Sequence, residues 1–235
     1  MPRTGPAEPT EPVGPAGSTG RGERLGPWWL RHAVVGHLGT NAYVLEHAAD
    51  GTRVLVDPGA EPARLLALLD EGGPRPADRP GRRLDLVVVT HRHADHLDAL
   101  AAVVAATGAP VAAGRDDADA VTAATGVRVD VRLADGDLLP VPADPPQVVE
   151  LRGHTPGSVA LVVGGAHLLT GDSLFPGGVG ATGGDPERFG LLLADVEERV
   201  FARFDDATTV HPGHGRPTTL GAERPGLPAW RARGW

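Results

Sequence analysis

The segment Thr90-His91-Arg92-His93-Ala94-Asp95-His96 concentrates potential metal ligands. It places three imidazoles and one carboxylate within six residues, and histidine is uncommon enough that this density is hard to obtain by chance. His91 and His93 can point the same way from an extended turn and share one cation. Asp95 and His96 then project elsewhere and can reach a second cation. The alternative interpretation is a solvated polar loop, or a histidine cluster that binds metal adventitiously.

This segment directly follows a predicted strand. Residues 85–90 (DLVVVT) are a continuous, largely β-branched run, which is typical of a strand buried on both faces. Hydrophobic periodicity and turn residues predict further strands at 33–35, 42–46, 53–56, near 111, 127–133, 148–151, 159–163, 167–170 and 208–210. They predict helices at 61–69, 97–106 and 116–124. A fourth helix is predicted to start at Asp185-Pro186 and to end at about Phe204. Strands outnumber helices, and helices fall between them in two similar successions. This pattern indicates an α+β fold with two facing sheets and helices outside, a four-layer arrangement.

The composition excludes several classes of function. The chain of 235 residues has a formal net charge of −8 and no run of basic residues, so a nucleic-acid-binding protein is not expected. All 22 basic residues are Arg, which excludes chemistry at a lysine amine. No cysteine is present, so any metal must be held by His and carboxylate side chains.

The N-terminal segment differs in composition from the rest of the chain. Residues 1–24 are rich in Pro, Gly and polar residues, which predicts a disordered tail, followed by a single domain over 25–235. No apolar stretch approaches the ~20 residues of a membrane span. The N-terminus has no charged region followed by an apolar one. We therefore expect a cytoplasmic protein that does not interact with membranes.

Three shorter motifs lie downstream of the histidine cluster. They are GHTPGS at 153–158, TGD at 170–172 and PGHG at 212–215. Each is a weak signal alone, because Pro and Gly dominate ordinary turns and a single Asp after Gly is more often a cap. His211 and His214 both offer an imidazole at the last motif.

In this order and spacing, the four motifs resemble the series found in metallo-β-lactamase-fold hydrolases, from about residue 31 to 220. The resemblance implies an αββα sandwich with metals between the sheet edges. It implies one metal held by His91, His93 and His154. It implies a second held by Asp95, His96 and His214, with Asp172 bridging the two.

Two divalent ions ~3.5–4 Å apart would share a water and lower its pKa toward neutrality, supplying hydroxide for attack on a carbonyl. We expect zinc, with iron or manganese as alternatives, and a catalytic role for Asp95 in orienting the hydroxide. The family pattern selects His214 as the ligand, which leaves His211 behind the ligands or in a loop. Asp57 can contact a ligand histidine or cap the following turn. His37 and Tyr43 are expected on the rim of the site. Ordinary surface or core roles are expected for His32, His47 and His167.

Within this superfamily, the chain is most similar to the glyoxalase-II-like, or hydroxyacylglutathione hydrolase-like, group. The stretches HTPGSVALVV, TGDSLFPGGVG and VHPGHGRPTTLGAE carry the likeness. It implies hydrolysis of a small-molecule thioester. Ala181 occupies a position where many relatives have Arg, and only 21 residues follow His214, so a conjugate of another thiol, or a lactone, is at least as plausible as a glutathione thioester. Monomer and homodimer both remain open.

Two other functions remain open. The first is a mononuclear-iron persulfide dioxygenase, in which His91, His154 and Asp172 would hold the iron. The intact PGHG motif argues against it, since such relatives resemble a different final motif. The second is a non-catalytic metal-binding module, whose mark would be a missing ligand, whereas all seven implied ligands are present.

Overall fold

A computed structural model describes residues 22–72 and 84–234. The predicted disordered tail therefore lies outside the described residues up to position 21. Its last three positions are described, and Glu23 and Arg24 belong to the first strand, so regular structure begins two residues before the predicted domain boundary.

Seven strands form the first sheet in chain order, namely β1 (Glu23–Leu25), β2 (Trp28–Val35), β3 (Thr40–His47), β4 (Arg53–Val56), β5 (Leu86–Val89), β6 (Val111–Gly114) and β7 (Val131–Leu133). Neighbouring strands are antiparallel from β1 to β4 and parallel from β4 to β7. Parallel strands need a crossover connection. The three crossovers contain the helices α1 (Pro62–Asp70), α2 (Leu100–Thr107) and α3 (Ala118–Thr125).

The remaining strands are β8 (Gln147–Glu150), β9 (Val159–Val163), β10 (His167–Gly171), β11 (Leu174–Phe175), β12 (Gly178–Val179), β13 (Thr209–Pro212) and β14 (Thr218–Thr219). Five of them form the second sheet in the order β14-β13-β10-β9-β8, and β11 pairs with β12 separately. β10 and β13 are parallel. Their crossover contains α4 (Pro186–Val196), which continues into a π-helical turn at Glu197–Phe201. The helices α5 (Leu220–Glu223) and α6 (Leu227–Arg233) follow β14.

The two sheets face each other across an apolar layer. On β3, Tyr43 points into this layer and Val44 points toward α1 and α2. On β9, Leu161 points into the layer and Val162 points toward α4. This alternation follows from the two-residue repeat of a strand. The layers are therefore helix, sheet, sheet and helix, which confirms the predicted αββα sandwich. None of the helices in the described parts of the chain is long and apolar enough to cross a membrane.

Some boundaries differ from the predicted ones for local reasons. β2 begins at Trp28, because Trp28 and Leu30 are buried between the sheets upstream of the predicted 33–35. β7 covers only its last three predicted residues, since the side chain of Asp130 accepts the Val111 N–H that a longer strand would bond. α2 starts at Leu100 because the preceding residues form a 3₁₀ turn at Ala94–His96.

The helix predicted to reach Phe204 ends as α-helix at Val196 and as a π-helical turn at Phe201. The sequence pattern also misses the elements of two to seven residues, which carry too little periodicity to be recognised, namely β1, β11, β12, β14, α5 and α6.

Candidate metal centre

The candidate site lies where the ends of four strands from both sheets meet. Parallel strands end at the same edge of a sheet. Residues after β4 and β5 therefore face residues after β10 and β13. The sheets are joined directly at this edge: Asn41 N–H donates to Gly213 O at 2.7 Å, and Val159 N–H donates to Thr90 O at 2.9 Å.

Three of the predicted ligands form a first group, composed of His91, His93 and His154. Their ligand nitrogens lie within 4.8 Å of one another. The ring centroids are 4.8 Å apart for His91 and His93, and 4.5 Å apart for His93 and His154. His91 and His154 are buried, whereas His93 is exposed, so the group opens to solvent on one side.

A second group contains Asp95, His96 and His214. Asp95 Oδ2 lies 3.1 Å from His214 Nε2 and 3.5 Å from His96 Nε2. The two Nε2 atoms are 3.3 Å apart. His96 is fully buried, and the other two residues are partly exposed.

Asp172, directly after β10, lies between the two groups. Its Oδ2 is 4.0 Å from His91 Nε2, 3.7 Å from His154 Nε2 and 3.5 Å from His214 Nε2. Its Oδ1 is 3.3 Å from His96 Nε2. The structure thus brings all seven predicted residues together, with one carboxylate adjoining both groups.

Contacts at Nδ1 orient four of the five imidazoles. A histidine that binds a cation through one nitrogen usually donates the other N–H to a partner. The Nδ1 partners are Thr90 Oγ1 for His91 (3.1 Å), Asp57 Oδ2 for His96 (2.9 Å), Ala181 O for His154 (2.7 Å) and Leu38 O for His214 (3.1 Å). Each ring therefore directs Nε2 into the centre.

The polar atoms that face the centre fit a cation. His91 Nε2, His154 Nε2 and Asp172 Oδ1 are buried and have no hydrogen-bond partner among the described residues. Buried polar atoms without partners are costly, and a bound cation would satisfy all three. Imidazole and carboxylate ligands suit zinc and other first-row divalent metals.

The protonation states of four of the seven side chains also suit metal binding. Burial lowers the pKa of His91 well below its ordinary value, and burial also lowers the pKa values of His93 and His154. Burial alone would raise the pKa of Asp172, but the close approach of His96 and the charges of His96, His214 and His154 hold it below the ordinary value. These four side chains are therefore deprotonated at neutral pH, the state that a metal ligand requires. His96 differs: burial would lower its pKa, but Asp57 and Asp172 raise it to about 10, so this ring must release a proton when a cation binds.

Asp57, directly after β4, supports the centre from the side away from solvent. Its Oδ1 accepts Thr90 N–H at 2.7 Å, and its Oδ2 accepts the Thr90 hydroxyl at 2.7 Å as well as contacting His96. Asp57 has a φ of 54°, which is unusual for a residue other than glycine and fits a position held by several hydrogen bonds. The structure confirms the expected contact between Asp57 and a histidine of this set.

Asp117 has an equally central position that sequence reasoning missed. It is fully buried at the start of α3 and accepts hydrogen bonds from Arg92 N–H, Gly157 N–H and the Thr155 hydroxyl. It thereby ties the His91–His93 segment to the loop that carries His154. The Asp116-Asp117 pair signals a helix start in the sequence, but not which loops its side chains would join.

Two glycines next to the centre are required by space, one in the PGHG motif and one after β12. A Cβ at position 213 would overlap Asp172 Oδ1 and lie 2.8 Å from His96 Cε1. A Cβ at position 180 would overlap the Asp172 carbonyl and lie 3.1 Å from His154 Nδ1. Only glycine lets the backbone approach the centre this closely.

Some of the positions predicted for residues around the site are wrong or more precise in the structure. Tyr43 is not on the rim: it is buried between the sheets, and its hydroxyl donates to Pro212 O at 2.7 Å. His37 lies exposed on the turn between β2 and β3. His211 is a buried residue of β13 and lies 3.3 Å from His167, outside the seven-residue group.

The burial of His211 predicts a pH dependence of stability. Burial, and then the charges of His167 and His32, lower the pKa of His211 to about 4. An unfolded chain binds more protons than the folded one between this value and an ordinary histidine pKa of about 6.5. The neutral, buried state of His211 therefore contributes fully to the free energy of unfolding above about pH 6.5. This contribution is lost as the pH falls toward 4, and its upper limit is about 3 kcal/mol.

Chemical denaturation of the wild-type protein and of His211→Leu between pH 7 and pH 4 measures this effect. We expect the free energy of unfolding to fall less steeply for His211→Leu. His37→Leu, which changes an exposed histidine, should keep the wild-type slope. Equal slopes for all three proteins would contradict the assignment to His211.

Comparisons with known proteins agree with this geometry. The family model of the metallo-beta-lactamase superfamily matches residues 35–214. The chain therefore belongs to the metallo-β-lactamase superfamily, as its motifs predict. The match covers most strands of both sheets and all seven residues of the centre.

Individual relatives and one solved structure are similar to this chain. A hydroxyacylglutathione hydrolase of Anaeromyxobacter dehalogenans (strain 2CP-C) is 40% identical over 75% of this chain and 62% of its own length. One from Alkalilimnicola ehrlichii is 34% identical over 64% of this chain and 57% of its own length. The chain thus spans about three fifths of the length of these curated relatives. The crystal structure of ETHE1 from Myxococcus xanthus is 26% identical, with a TM-score of 0.71 over 86% of this chain and 84% of that one.

Proposed function

We propose that this protein is a dinuclear metallohydrolase that cleaves a thioester or a related acyl ester or lactone. The observation that carries the proposal is the division of seven donors into two groups of three with Asp172 adjoining both. Two cations held in this way would lower the pKa of a water molecule toward neutrality and polarise a substrate carbonyl.

Each residue of the centre has a defined role in the proposal. One cation would be held by His91, His93 and His154, and the other by Asp95, His96 and His214. Asp172 would contribute to both sites. The Nδ1 contacts to backbone carbonyls, to Thr90 and to Asp57 hold the rings in place before substrate arrives, so little reorganisation is needed during the reaction.

Asp95 is the candidate catalytic carboxylate. The Thr40 hydroxyl donates to Asp95 Oδ2 at 3.0 Å, which fixes the orientation of the carboxylate next to His214. Asp95 is partly exposed at the mouth of the centre. From this position it can orient the attacking water and accept its proton as the tetrahedral intermediate forms.

The names of the relatives support a thioester substrate. Two hydroxyacylglutathione hydrolases match the part of the chain that carries the centre. Because the match leaves more than a third of each relative uncovered, it supports the bond that is cleaved more strongly than the thiol that leaves. Ala181 adds a difference at the site itself, since it contributes a backbone carbonyl to His154 and no charged side chain.

The geometry favours two ions over one. The three residues of the single-iron alternative are also close together, with Asp172 Oδ2 at 4.0 Å from His91 Nε2 and 3.7 Å from His154 Nε2. A single ion there would leave the second group without a function. The crystal structure of TTHA1623 in a di-iron-bound form, 35% identical with a TM-score of 0.64 over 83% of this chain and 96% of that chain, supports two ions and keeps iron as an alternative to zinc.

Metal analysis and a substrate panel test the proposal together. We expect two metal ions per chain in the seven-residue group, and hydrolysis of acyl thioesters or lactones at neutral pH. The panel should include thioesters of several thiols, a lactone, and a persulfide with oxygen uptake as the readout. One iron per chain with oxygen consumption would replace the hydrolase by the dioxygenase. No turnover on the whole panel by fully loaded protein would favour a non-catalytic module.

A further inference from the structure

A second set of potential ligands lies between the sheets, outside the seven-residue group. Glu23 of β1, His167 of β10 and His211 of β13 each offer one ligand atom, and these atoms lie within 4.8 Å of one another. Glu23 is two residues from Leu25, and His167 two residues from Leu169, both of which are buried in the layer between the sheets. The strand repeat therefore directs Glu23 and His167 toward the facing sheet.

The distance between the two imidazoles fits a shared cation. His167 Nδ1 lies 3.3 Å from His211 Nε2. Two nitrogens bound tetrahedrally to one Zn²⁺ at about 2.0–2.1 Å would be roughly 3.3–3.4 Å apart. An N–H···N hydrogen bond between neutral imidazoles has a similar length. Such a hydrogen bond does not involve the adjacent carboxylate of Glu23, whereas a zinc ion would bind this carboxylate as a third ligand.

The protonation of these side chains also suits a cation. Burial lowers the pKa of His167, although Glu23 opposes the shift, and burial lowers the pKa of His211 to about 4. Both imidazoles are therefore neutral at pH 7 and can bind a cation without first losing a proton. The cluster is open at Glu23, which is exposed, so a cation can enter from solvent.

We propose that Glu23, His167 and His211 form a third cation site, for Zn²⁺ or a similar divalent metal, with water as the remaining ligand. The cation would connect the first strand of one sheet to two strands of the other. One of these, β13, leads directly into His214 of the candidate active site. The site would therefore stabilise the N-terminal strand and the position of β13, and it does not take part in the proposed hydrolysis.

Zinc content and thermal stability of His167→Gln and Glu23→Gln test this site, with His37→Gln as the matched control on an exposed turn. All four proteins are prepared with limiting zinc and then titrated with Zn²⁺ alone. We expect the wild type and His37→Gln to bind one more equivalent than His167→Gln. At a zinc concentration roughly 100 times Kd, this equivalent should raise Tm by about 5–10 °C.

Glu23→Gln changes an exposed side chain, so it should fold even if His167→Gln does not, and we expect about a 10- to 100-fold weaker affinity for the last equivalent. The site is refuted if His167→Gln and Glu23→Gln bind as many equivalents as the wild type with the same affinity and gain the same Tm. Because the comparison depends on differences between variants, its result is independent of whether the seven-residue group holds two ions or one.

Discussion

Asp172→Asn is expected to reduce kcat for an accepted thioester or lactone by about 10³-fold or more, which corresponds to roughly 4 kcal/mol of lost transition-state stabilisation. Asp172 approaches Nε2 atoms of both groups, so a change here affects both cations at once. Asparagine keeps the shape of the side chain but removes its negative charge, and its amide N–H atoms cannot bind a metal. Steady-state kinetics, together with metal analysis of the same preparation, measure the effect.

Asp98→Asn provides a matched control, because it makes the same change in an exposed acidic residue just after the 3₁₀ turn. It should keep the wild-type kcat and metal content. Asp172→Asn should also keep the circular dichroism of the folded protein, since the substitution preserves volume. Wild-type kcat and metal content in Asp172→Asn would show that the carboxylate is not shared by the two ions.

Asp117→Ala is expected to lower the free energy of unfolding by about 3–5 kcal/mol and Tm by roughly 6–20 °C. The Asp117 carboxylate is fully buried, and its removal leaves Arg92 N–H and Gly157 N–H without their acceptor and the Thr155 hydroxyl with Ser158 Oγ alone. Unpaired buried donors are among the most costly consequences of a single substitution. Thermal and chemical denaturation of the metal-free protein measure the loss.

Asp116→Ala removes the neighbouring carboxylate, which is exposed, and should change stability by no more than about 0.5 kcal/mol. The role of Asp117 in positioning the histidines has its own readout. Asp117→Asn keeps part of the hydrogen bonding. We expect this variant, even when fully folded, to bind metal more weakly at the group of His91, His93 and His154. Equal stability of Asp117→Ala and Asp116→Ala would overturn the assignment.

Much of the fold follows from local patterns. The β-branched run before His91 predicts β5, and the Asp185-Pro186 pair predicts the start of α4, where the Asp185 side chain accepts hydrogen bonds from the N–H groups of Glu187 and Arg188. The two similar successions of strands and helices predict two facing sheets with helices outside. Each of these features depends on residues close together in the chain, so the sequence displays it directly.

The arrangement of the candidate site is only partly of this kind. Residue types identify the donors, because only imidazole and carboxylate are available in a chain without cysteine. The family resemblance then indicates how they divide between two cations. The groups that orient these imidazoles are not visible in the sequence. The backbone carbonyls of Leu38 and Ala181 accept hydrogen bonds from His214 and His154, and any residue type could supply such a carbonyl.

The chemistry of the segment from His91 to His96 could therefore be predicted from residue types and spacing, since these decide which atoms can bind a cation. The remaining residues of the candidate site join this segment only through pairing between distant parts of the chain. The parallel pairing of β10 with β13 brings Asp172 and His214 to one edge, and Asp117 joins two loops that lie far apart in sequence. The contact between His167 and His211 arises in the same way, from two strands that meet only in the folded sheet. Such contacts are set by strand order and register, which local sequence patterns do not specify.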